Sequence, residues 1–144
     1  MHFLTTVIAA LAACHSASAW SLAIANTHDG TIQTGGSPPQ LRRILSQDVQ
    51  TSACGVFGQD LPGVGCSQET MDGESPQGCV GDFETNSLTP QYGTSCTFYK
   101  NSDCSGDEKT VERTRSEGIL TEDNAQGFTA FKCWDNGAFV PWKA

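Results

Sequence analysis

The chain is poor in histidine, and this limits the chemistry that its cysteine-bearing part can perform. It has three histidines; His2 and His15 lie in an apolar N-terminal stretch, and His28 lies far from the later cysteines. A Ser-His-Asp or Cys-His catalytic site therefore has no histidine to use there. There is also no C-x-x-C pair, which argues against a zinc site. We expect a protein that is not an enzyme and that holds no metal or cofactor.

Positive charge is scarce as well. Eight Lys and Arg residues stand against sixteen Asp and Glu, which gives a formal net charge of −8. Such a protein repels phosphate backbones and anionic membrane surfaces. We therefore expect no nucleic-acid partner, no membrane insertion and a monomer. The acidity is explained most simply by solubility, with steering towards a basic partner as the alternative.

The N-terminus has the pattern of a secretory signal peptide. Phe3 to Ala13 is apolar and uncharged, and Ala17-Ser18-Ala19 is a small-residue cleavage signal. The apolar run is shorter than the ~20 residues that a membrane-spanning helix needs. We expect cleavage after Ala19, residues 1–19 to be the signal peptide, and the remainder to be secreted.

Removal of the signal peptide also explains the odd cysteine count. Of the seven cysteines, Cys14 leaves with the signal peptide. An even number in a short secreted chain predicts a disulfide framework. Three bridges can pair in 15 ways, and spacing does not choose among them. The six remaining cysteines are Cys54, Cys66, Cys79, Cys96, Cys104 and Cys133.

Residues 20–43 differ in composition from the rest. Gly35 to Pro39 has a linker composition, and the segment ends in the dibasic pair Arg42-Arg43. Low hydrophobicity predicts a flexible arm. One hypothesis is a pro-segment removed by a processing protease at Arg43, and the alternative is an ordinary disordered arm. Either way, the sequence predicts a folded domain over residues 44–144.

The remaining pattern predicts an all-β fold. The spacing of apolar residues in Leu41–Val49 fits a short helix or turn, but from Thr51 onward the apolar runs are short and separated by turn residues. We expect a small disulfide-stabilised β-sandwich or partly closed barrel with a flexible N-terminal arm. The predicted strands are Ala53–Gly58, Cys79–Phe83, Ser95–Lys100, Lys109–Arg115 at a sheet edge, and Gly127–Trp134 at a sheet centre; the predicted loops include Ser67–Gly78 and Glu84–Gly93.

Carboxylates are the remaining candidates for chemistry, but their abundance in turns makes no pair specific. Glycosidases need two carboxylates ~5–10 Å apart in a cleft. Calcium favours oxygen ligands such as those of Asn101 to Asp103, yet the expected D-x-[DN]-x-[DN]-G pattern is missing. We expect solvated turns instead. The carboxylates considered are Asp82, Glu84, Asp103, Asp107, Glu108, Glu122 and Asp123.

A protein-binding surface is the more favoured kind of site. Tyrosine and tryptophan dominate interaction hot spots. We expect Tyr92 and Trp142 to contribute to a partner surface, together with the polar loop residues Asn101 and Asp103. Tyr99 and Trp134 are more simply explained as core residues.

Two resemblances add to this interpretation. The run from Tyr99 to Gly106 resembles the aromatic–four residues–aromatic–x–Gly hairpin of the βγ-crystallin Greek-key motif, with Cys104 in place of the second aromatic. The resemblance covers eight residues once, and it implies a hairpin-rich β fold in which Gly106 takes a positive φ.

The whole layout resembles the small secreted cysteine-rich effectors of filamentous ascomycete plant pathogens, including avirulence proteins of the blackleg fungus. The resemblance rests on the signal peptide, the polar arm, the six cysteines and segments such as Cys96–Tyr99 and Phe131–Trp134. It implies a virulence protein that acts in the plant apoplast or after uptake into host cells. It also implies binding to a host protein and recognition by a host resistance protein. The alternatives are a protease inhibitor presenting Gln68–Gln77, or a carbohydrate- or wall-binding protein.

Overall fold

The computed structural model describes residues 19–27, 30–33, 40–70, 73–75, 81, 83–114 and 127–138. The secondary structure of these residues is entirely β. Their strands are β1 (Trp20–Ala25), β2 (Arg42–Gln47), β3 (Gly55–Val56), β4 (Gly65–Thr70), β5 (Gly73–Ser75), β6 (Ser87–Pro90), β7 (Thr94–Tyr99), β8 (Glu108–Glu112) and β9 (Ala130–Asp135). No helix in the described ranges is long and apolar enough to span a membrane.

Two antiparallel sheets make up the fold. The five-stranded sheet has the order β5-β4-β2-β1-β6, and the four-stranded sheet has the order β3-β9-β7-β8. Each order has two ends, so neither sheet closes on itself. Strand β1 contacts both β7 and β9 of the opposite sheet. The all-β prediction is confirmed, and of its two architectures the open sandwich is the one observed.

The side chains of β1 point alternately towards the core and towards the outer face of its sheet. Its sequence places Trp20, Leu22 and Ile24 on one face and small residues between them, as the period of a strand requires. These three side chains are at most 2 % exposed. Burial of each large apolar side chain contributes about 1.5–3 kcal/mol, so β1 is a main contributor to the core.

This placement corrects the prediction of a flexible arm over residues 20–43. Trp20–Ala25 pairs with β2 on one side and β6 on the other. The linker-like composition lies after β1, and residues 34–39 are outside the described part of the chain. Within the described part of the chain, the two-sheet fold therefore includes Trp20–Ala25 and does not start at Ile44.

The prediction of a helix or turn over Leu41–Val49 is also wrong. Arg42–Gln47 forms β2. Its Arg43 and Leu45 are buried, and the other residues of the strand are partly exposed. Apolar residues at spacings of three and four resembled a helical face. The period of two became favourable because β1 and β4 pair with β2 on both sides.

The four-stranded sheet matches the prediction more closely. Strand β7 is confirmed, with Cys96 and Phe98 fully buried towards the core. Strand β9 lies between β3 and β7, and β8 lies at the sheet edge, as predicted. Phe128 precedes β9 and packs near Phe98, with ring centroids 6.1 Å apart.

Two predicted loops contain strands. Part of Ser67–Gly78 forms most of β4 and all of β5, and part of Glu84–Gly93 forms β6. Strands β4 and β5 are polar over this range, so they lacked the apolar alternation that marks a strand in the sequence. Pro90 ends β6, which is an edge strand, in keeping with the expectation that proline excludes a central position. Of the predicted strand Cys79–Phe83, only Gly81 and Phe83 are described, and neither lies in a strand.

A disulfide fixes the register of β7 and β9. Cys96 and Cys133 are directly opposite in the ladder, with their Cα atoms 4.1 Å apart. Both peptide groups of Cys133 face away from β7: its N–H donates to Ser52 Oγ at 2.8 Å, and its carbonyl accepts from Ser52 N at 2.8 Å. Pairs of this kind bring the Cα atoms of neighbouring strands closest together, which allows a bridge between them.

Candidate functional site

The loop between β7 and β8 is the best-defined exposed feature that the sequence singled out. We call residues 100–107 the tip loop. Its residues from Lys100 to Ser102, Asp103 and Asp107 are exposed. The loop is closed at its base, where Lys100 N–H donates to the Asp107 carbonyl at 3.0 Å. The hairpin thus presents polar side chains at one end of the four-stranded sheet.

Local backbone geometry determines the shape of the tip loop. Asn101 N–H donates to the Ser105 carbonyl, and Cys104 N–H donates to the Asn101 carbonyl, both at 3.2 Å. Cys104 has a φ of 57° and Gly106 a φ of 82°. A Cβ at Gly106 would lie 2.7 Å from Asn101 Nδ2, so the exposed Asn101 side chain would have to move, while the positive φ itself favours glycine. The positive φ predicted for Gly106 is therefore observed.

A second disulfide ties the tip loop to the body of the domain. Cys104 bonds to Cys54, which lies just before β3, and the two residues are 50 apart in sequence. The Sγ of Cys54 also lies 3.7 Å from the Ser102 carbonyl oxygen. Because the bridge anchors the middle of the loop, it restricts the tip more than the two strand ends alone would.

The segment just before β9 supports the base of the same loop. Thr129 N–H donates to the Tyr99 carbonyl at 2.9 Å, and Thr129 Oγ1 donates to the Lys100 carbonyl at 2.7 Å. The Lys100 ammonium lies 4.1 Å from the centre of the Phe128 ring, within the range of a cation–π contact. The tip loop is thus exposed in its side chains and held in its backbone.

The oxygen-rich tip is organised by its own hydrogen bonds. Ser105 Oγ bonds to Asp103 Oδ1 and lies 3.3 Å from Asn101 Nδ2. These hydrogen bonds join side chains within the exposed turn, so the oxygen atoms at the tip contact one another. Within the part of the chain that the structure describes, no group of three or more His, Cys, Asp or Glu could hold a metal ion.

The other predicted partner residues do not join the tip loop. Tyr92 precedes β7 whereas Asn101 follows it, so they lie at opposite ends of a six-residue strand, on the order of 20 Å apart. Tyr92 is half-buried, and its hydroxyl donates to the Ala138 carbonyl at 2.9 Å. Trp142 lies outside the described residues. The predicted surface therefore separates into a tip-loop part and a Tyr92 part.

The predicted processing at Arg43 falls on a buried residue of a paired strand, and cleavage there stays a prediction. Arg43 lies inside β2 and is 4 % exposed. Its Nε donates to Gln68 Oε1 at 3.0 Å, and its guanidinium lies 4.7 Å from the centre of the Phe83 ring. Burial lowers the pKa of Arg43 from its usual value. A protease needs an accessible extended chain, and this backbone is paired on both sides.

The predicted inhibitory loop Gln68–Gln77 is described in part, and its described residues lie in strands. Gln68 to Thr70 belongs to β4, which pairs with β2 on one side and with β5 on the other. Gly73–Ser75 forms β5, which lies at the edge of the five-stranded sheet. The other residues of the predicted loop lie outside the described part of the chain, and protease inhibition stays an untested alternative.

The remaining predicted residues are accounted for as follows. Cys66 is in a disulfide, and Cys79 lies outside the described residues, as do Asp82, Glu122 and Asp123. Glu84, Asp103, Asp107 and Glu108 are exposed. Ala19 is described, and its N–H donates to the Gln47 carbonyl at 3.0 Å.

The comparisons with known proteins leave these features to be interpreted from the structure itself. No family model matches the chain, and neither a curated protein nor a solved structure matches it.

Proposed function

We propose that this protein is a secreted effector of the fungal plant-pathogen type, which acts by binding a host plant protein through its tip loop. The observation that carries the proposal is a loop with exposed side chains and a firmly held backbone. Loops on rigid β scaffolds commonly carry binding residues. Recognition of the same loop by a host resistance protein would make the protein an avirulence factor.

Preorganisation is the physical reason for choosing this loop. Ordering a flexible loop on binding costs about 0.5–1.5 kcal/mol for each immobilised side chain, together with backbone entropy. The Cys54–Cys104 bridge and the turn hydrogen bonds already hold the loop backbone in the folded protein, so the backbone part of this cost is reduced on binding. The tip loop can therefore bind with less loss of entropy than a free loop of the same sequence.

The charge of the loop favours a basic partner surface. Asp103, Asp107 and Glu108 are exposed within or beside the tip loop, in a chain of net charge −8. Complementary charge accelerates association and disfavours wrong partners. We therefore propose that the host protein presents lysine or arginine side chains to the loop.

Secretion fits the covalent structure. Disulfides persist in oxidising environments such as the extracellular space, and two bridges lie wholly within the described residues. The bridges restrict the unfolded states that proteases cut, which suits action in the protease-rich plant apoplast. The apoplast is the proposed place of action, with uptake into host cells as the alternative.

Affinity capture from plant extract tests the proposal. The oxidised wild-type protein, Asp103→Asn and Ser102→Arg are immobilised side by side. Asp103→Asn keeps an oxygen for Ser105 but removes the charge, and Ser102→Arg adds a long cationic side chain at the exposed tip. We expect a host protein that wild type captures and that both variants capture at a several-fold lower level.

The matched control is Asp48→Asn, which removes one exposed carboxylate from the turn after β2, away from the tip loop. It should capture the host protein as well as wild type does. If no host protein is captured, or if the two tip-loop variants capture it as well as wild type does, the proposed use of the loop is wrong.

A further inference from the structure

Strand β8 is the longest edge strand of the two sheets. The described sheets end in four edge strands, namely β5 and β6 in one sheet and β3 and β8 in the other. Strands β3 and β5 have only two and three residues, and β6 is largely buried. Strand β8 has five residues, of which four are exposed. It is therefore the edge at which an added strand would find the most accessible backbone.

The backbone of β8 presents every second peptide group away from β7. The Asp107 carbonyl accepts a hydrogen bond from across the hairpin at 3.0 Å, and Arg113 N–H donates one at 3.2 Å. Paired groups recur at every second residue of an antiparallel ladder, so residues 109 and 111 also face β7. No described strand pairs with β8 on its other side. The residues whose N–H and C=O groups point to that side are Glu108, Thr110 and Glu112.

The side chains of the same three residues lie on the outer face of the sheet. Val111 packs against the hydrophobic core, so it and Lys109 belong to the inner face. Because side chains alternate along a strand, Glu108, Thr110 and Glu112 belong to the outer face, and all three are exposed. An added strand would therefore run beside two carboxylates on its outer face and beside Val111 on its inner face.

The two carboxylates determine which strand suits this edge. In an antiparallel pair of two β8 strands centred on Thr110, Glu108 of each copy would lie opposite Glu112 of the other. Like charges that lie directly opposite destabilise a strand pair, whereas opposite charges stabilise it. The net charge of −8 also opposes self-association. The edge thus disfavours a second copy and favours a strand with lysine or arginine at the two matching positions.

We propose that β8 binds an extended basic segment of a partner protein, which adds to the four-stranded sheet as an antiparallel edge strand. Basic side chains at alternate positions pair with Glu108 and Glu112, and β-branched residues between them pack beside Val111. Hydrogen bonds to the β8 backbone give affinity, and the alternate side chains give selectivity. The edge is distinct from the tip loop, and the proposal does not depend on the function proposed for that loop.

Titration of the isotope-labelled, oxidised protein with a synthetic peptide tests the proposal by NMR. The peptide is Ser-Lys-Val-Thr-Val-Lys-Ser, acetylated and amidated at its ends. We expect saturable binding with several-fold slower amide hydrogen exchange at Glu108, Thr110 and Glu112, because their N–H groups become bonded. The amides of Lys109 and Val111 already face β7 and should change less. No saturable binding, or binding without slower exchange at the three outward amides, would overturn the proposal.

Matched changes in the peptide test the geometry of pairing. N-methylation of the central threonine removes the N–H that bonds to the Thr110 carbonyl, and it should abolish binding. N-methylation of a valine, whose N–H points away from β8, should leave the affinity nearly unchanged. Glutamate in place of both lysines should weaken binding several-fold. Equal affinity of the two N-methylated peptides, or of the lysine and glutamate peptides, would contradict strand addition at this edge.

Two kinds of protein variant complete the test. Glu108→Lys/Glu112→Lys changes only exposed side chains, and it should bind the glutamate peptide more tightly than the lysine peptide. Thr110→Pro removes an outward N–H, which an edge strand tolerates, and should abolish binding. Thr110→Ala keeps that N–H and, like the proline variant, loses the hydroxyl contact with Thr97, so it is the control and should bind like wild type.

An unchanged preference of the double lysine variant would contradict the charge match. The state of the wild-type protein without peptide gives a further check. Sedimentation should show a monomer with fast exchange at the three outward amides. A dimer with these amides protected would identify a second copy as the occupant of the edge and would overturn the proposal.

Discussion

Trp20 packs edge-on against Phe131 and thereby joins the first strand of the five-stranded sheet to the centre of the four-stranded sheet. The two ring centroids are 6.1 Å apart, with the planes inclined at 65°. The ring of Phe57 stacks on that of Phe131, with the two centroids 5.1 Å apart. Aromatic pairs in this geometry add about 0.5–1.5 kcal/mol beyond the apolar surface that they bury.

Truncation of Trp20 should therefore cost much of the stability of the domain. We expect Trp20→Ala to lower the free energy of unfolding by about 3–5 kcal/mol, as for other large core aromatics. Trp20→Phe should cost less, because it keeps a ring and removes a buried indole N–H that has no partner among the described residues. Denaturant unfolding measures both. The control Val49→Ala, at a side chain that is 39 % exposed, should change stability by about 0.5 kcal/mol or less.

The position of β1 predicts how the N-terminal segment is processed. The folded, secreted protein should begin at Trp20 and resist an arginine-specific protease at the Arg43–Ile44 bond, because β2 is paired on both sides. After reduction and unfolding, the same bond should be cut. Intact-mass measurement before and after digestion tests this. A secreted protein that starts at Ile44 would contradict the fold described here.

The two described disulfides should differ in their resistance to reduction. Cys96 and Cys133 are fully buried, whereas Cys54 is exposed beside the tip loop. A thiolate needs access to a sulfur atom. Mild reduction followed by alkylation and peptide mass analysis should therefore label Cys54 and Cys104 first. Simultaneous labelling of all four cysteines would show that opening of the whole domain controls the reaction.

The close approach of β3 to Phe131 predicts a strict requirement for glycine. A Cβ at Gly55 would lie 2.5 Å from Phe131 Cζ, inside the core. We expect Gly55→Ala to destabilise the domain by about 1–3 kcal/mol, as overpacking does elsewhere. Gly65→Ala is the matched control, because its Cβ would meet no atom closer than 3.5 Å. Equal unfolding midpoints for the two variants would contradict the packing of β3.

The sequence predicts the four-stranded sheet better than the five-stranded one, for physical reasons. Alternation made β7 recognisable, aromatic residues on both faces marked β9 as central, and charge on both faces marked β8 as an edge. Strands β4 and β5 are polar, so they lack the apolar pattern by which a strand is recognised. Large apolar and small residues do alternate from Trp20 to Ala25. This strand was missed because the linker composition of the residues after it led to the prediction of a flexible arm over the whole segment.

The candidate site was predicted in part. The turn residues of the tip loop, its exposure and the positive φ of Gly106 followed from local chemistry. The Cys54–Cys104 bridge joins residues 50 apart in sequence, and spacing alone leaves the pairing open. The burial of Arg43 was also missed, because a dibasic pair does not reveal that its strand lies between two others. Arg43 lies two residues before Leu45, the spacing of residues on one face of a strand, and this was the signal that could have shown its burial.

Binding to the captured host protein with and without the tip-loop bridge tests the central claim most directly. The variant Cys54→Ala/Cys104→Ala removes a bridge whose closed loop corresponds to about 4 kcal/mol of unfolded-state entropy, so affinity is compared at a temperature where both proteins are folded. We predict that the dissociation constant rises at least several-fold, because the partner must then order the loop. An unchanged dissociation constant in the folded variant would contradict a preformed tip loop as the recognition element.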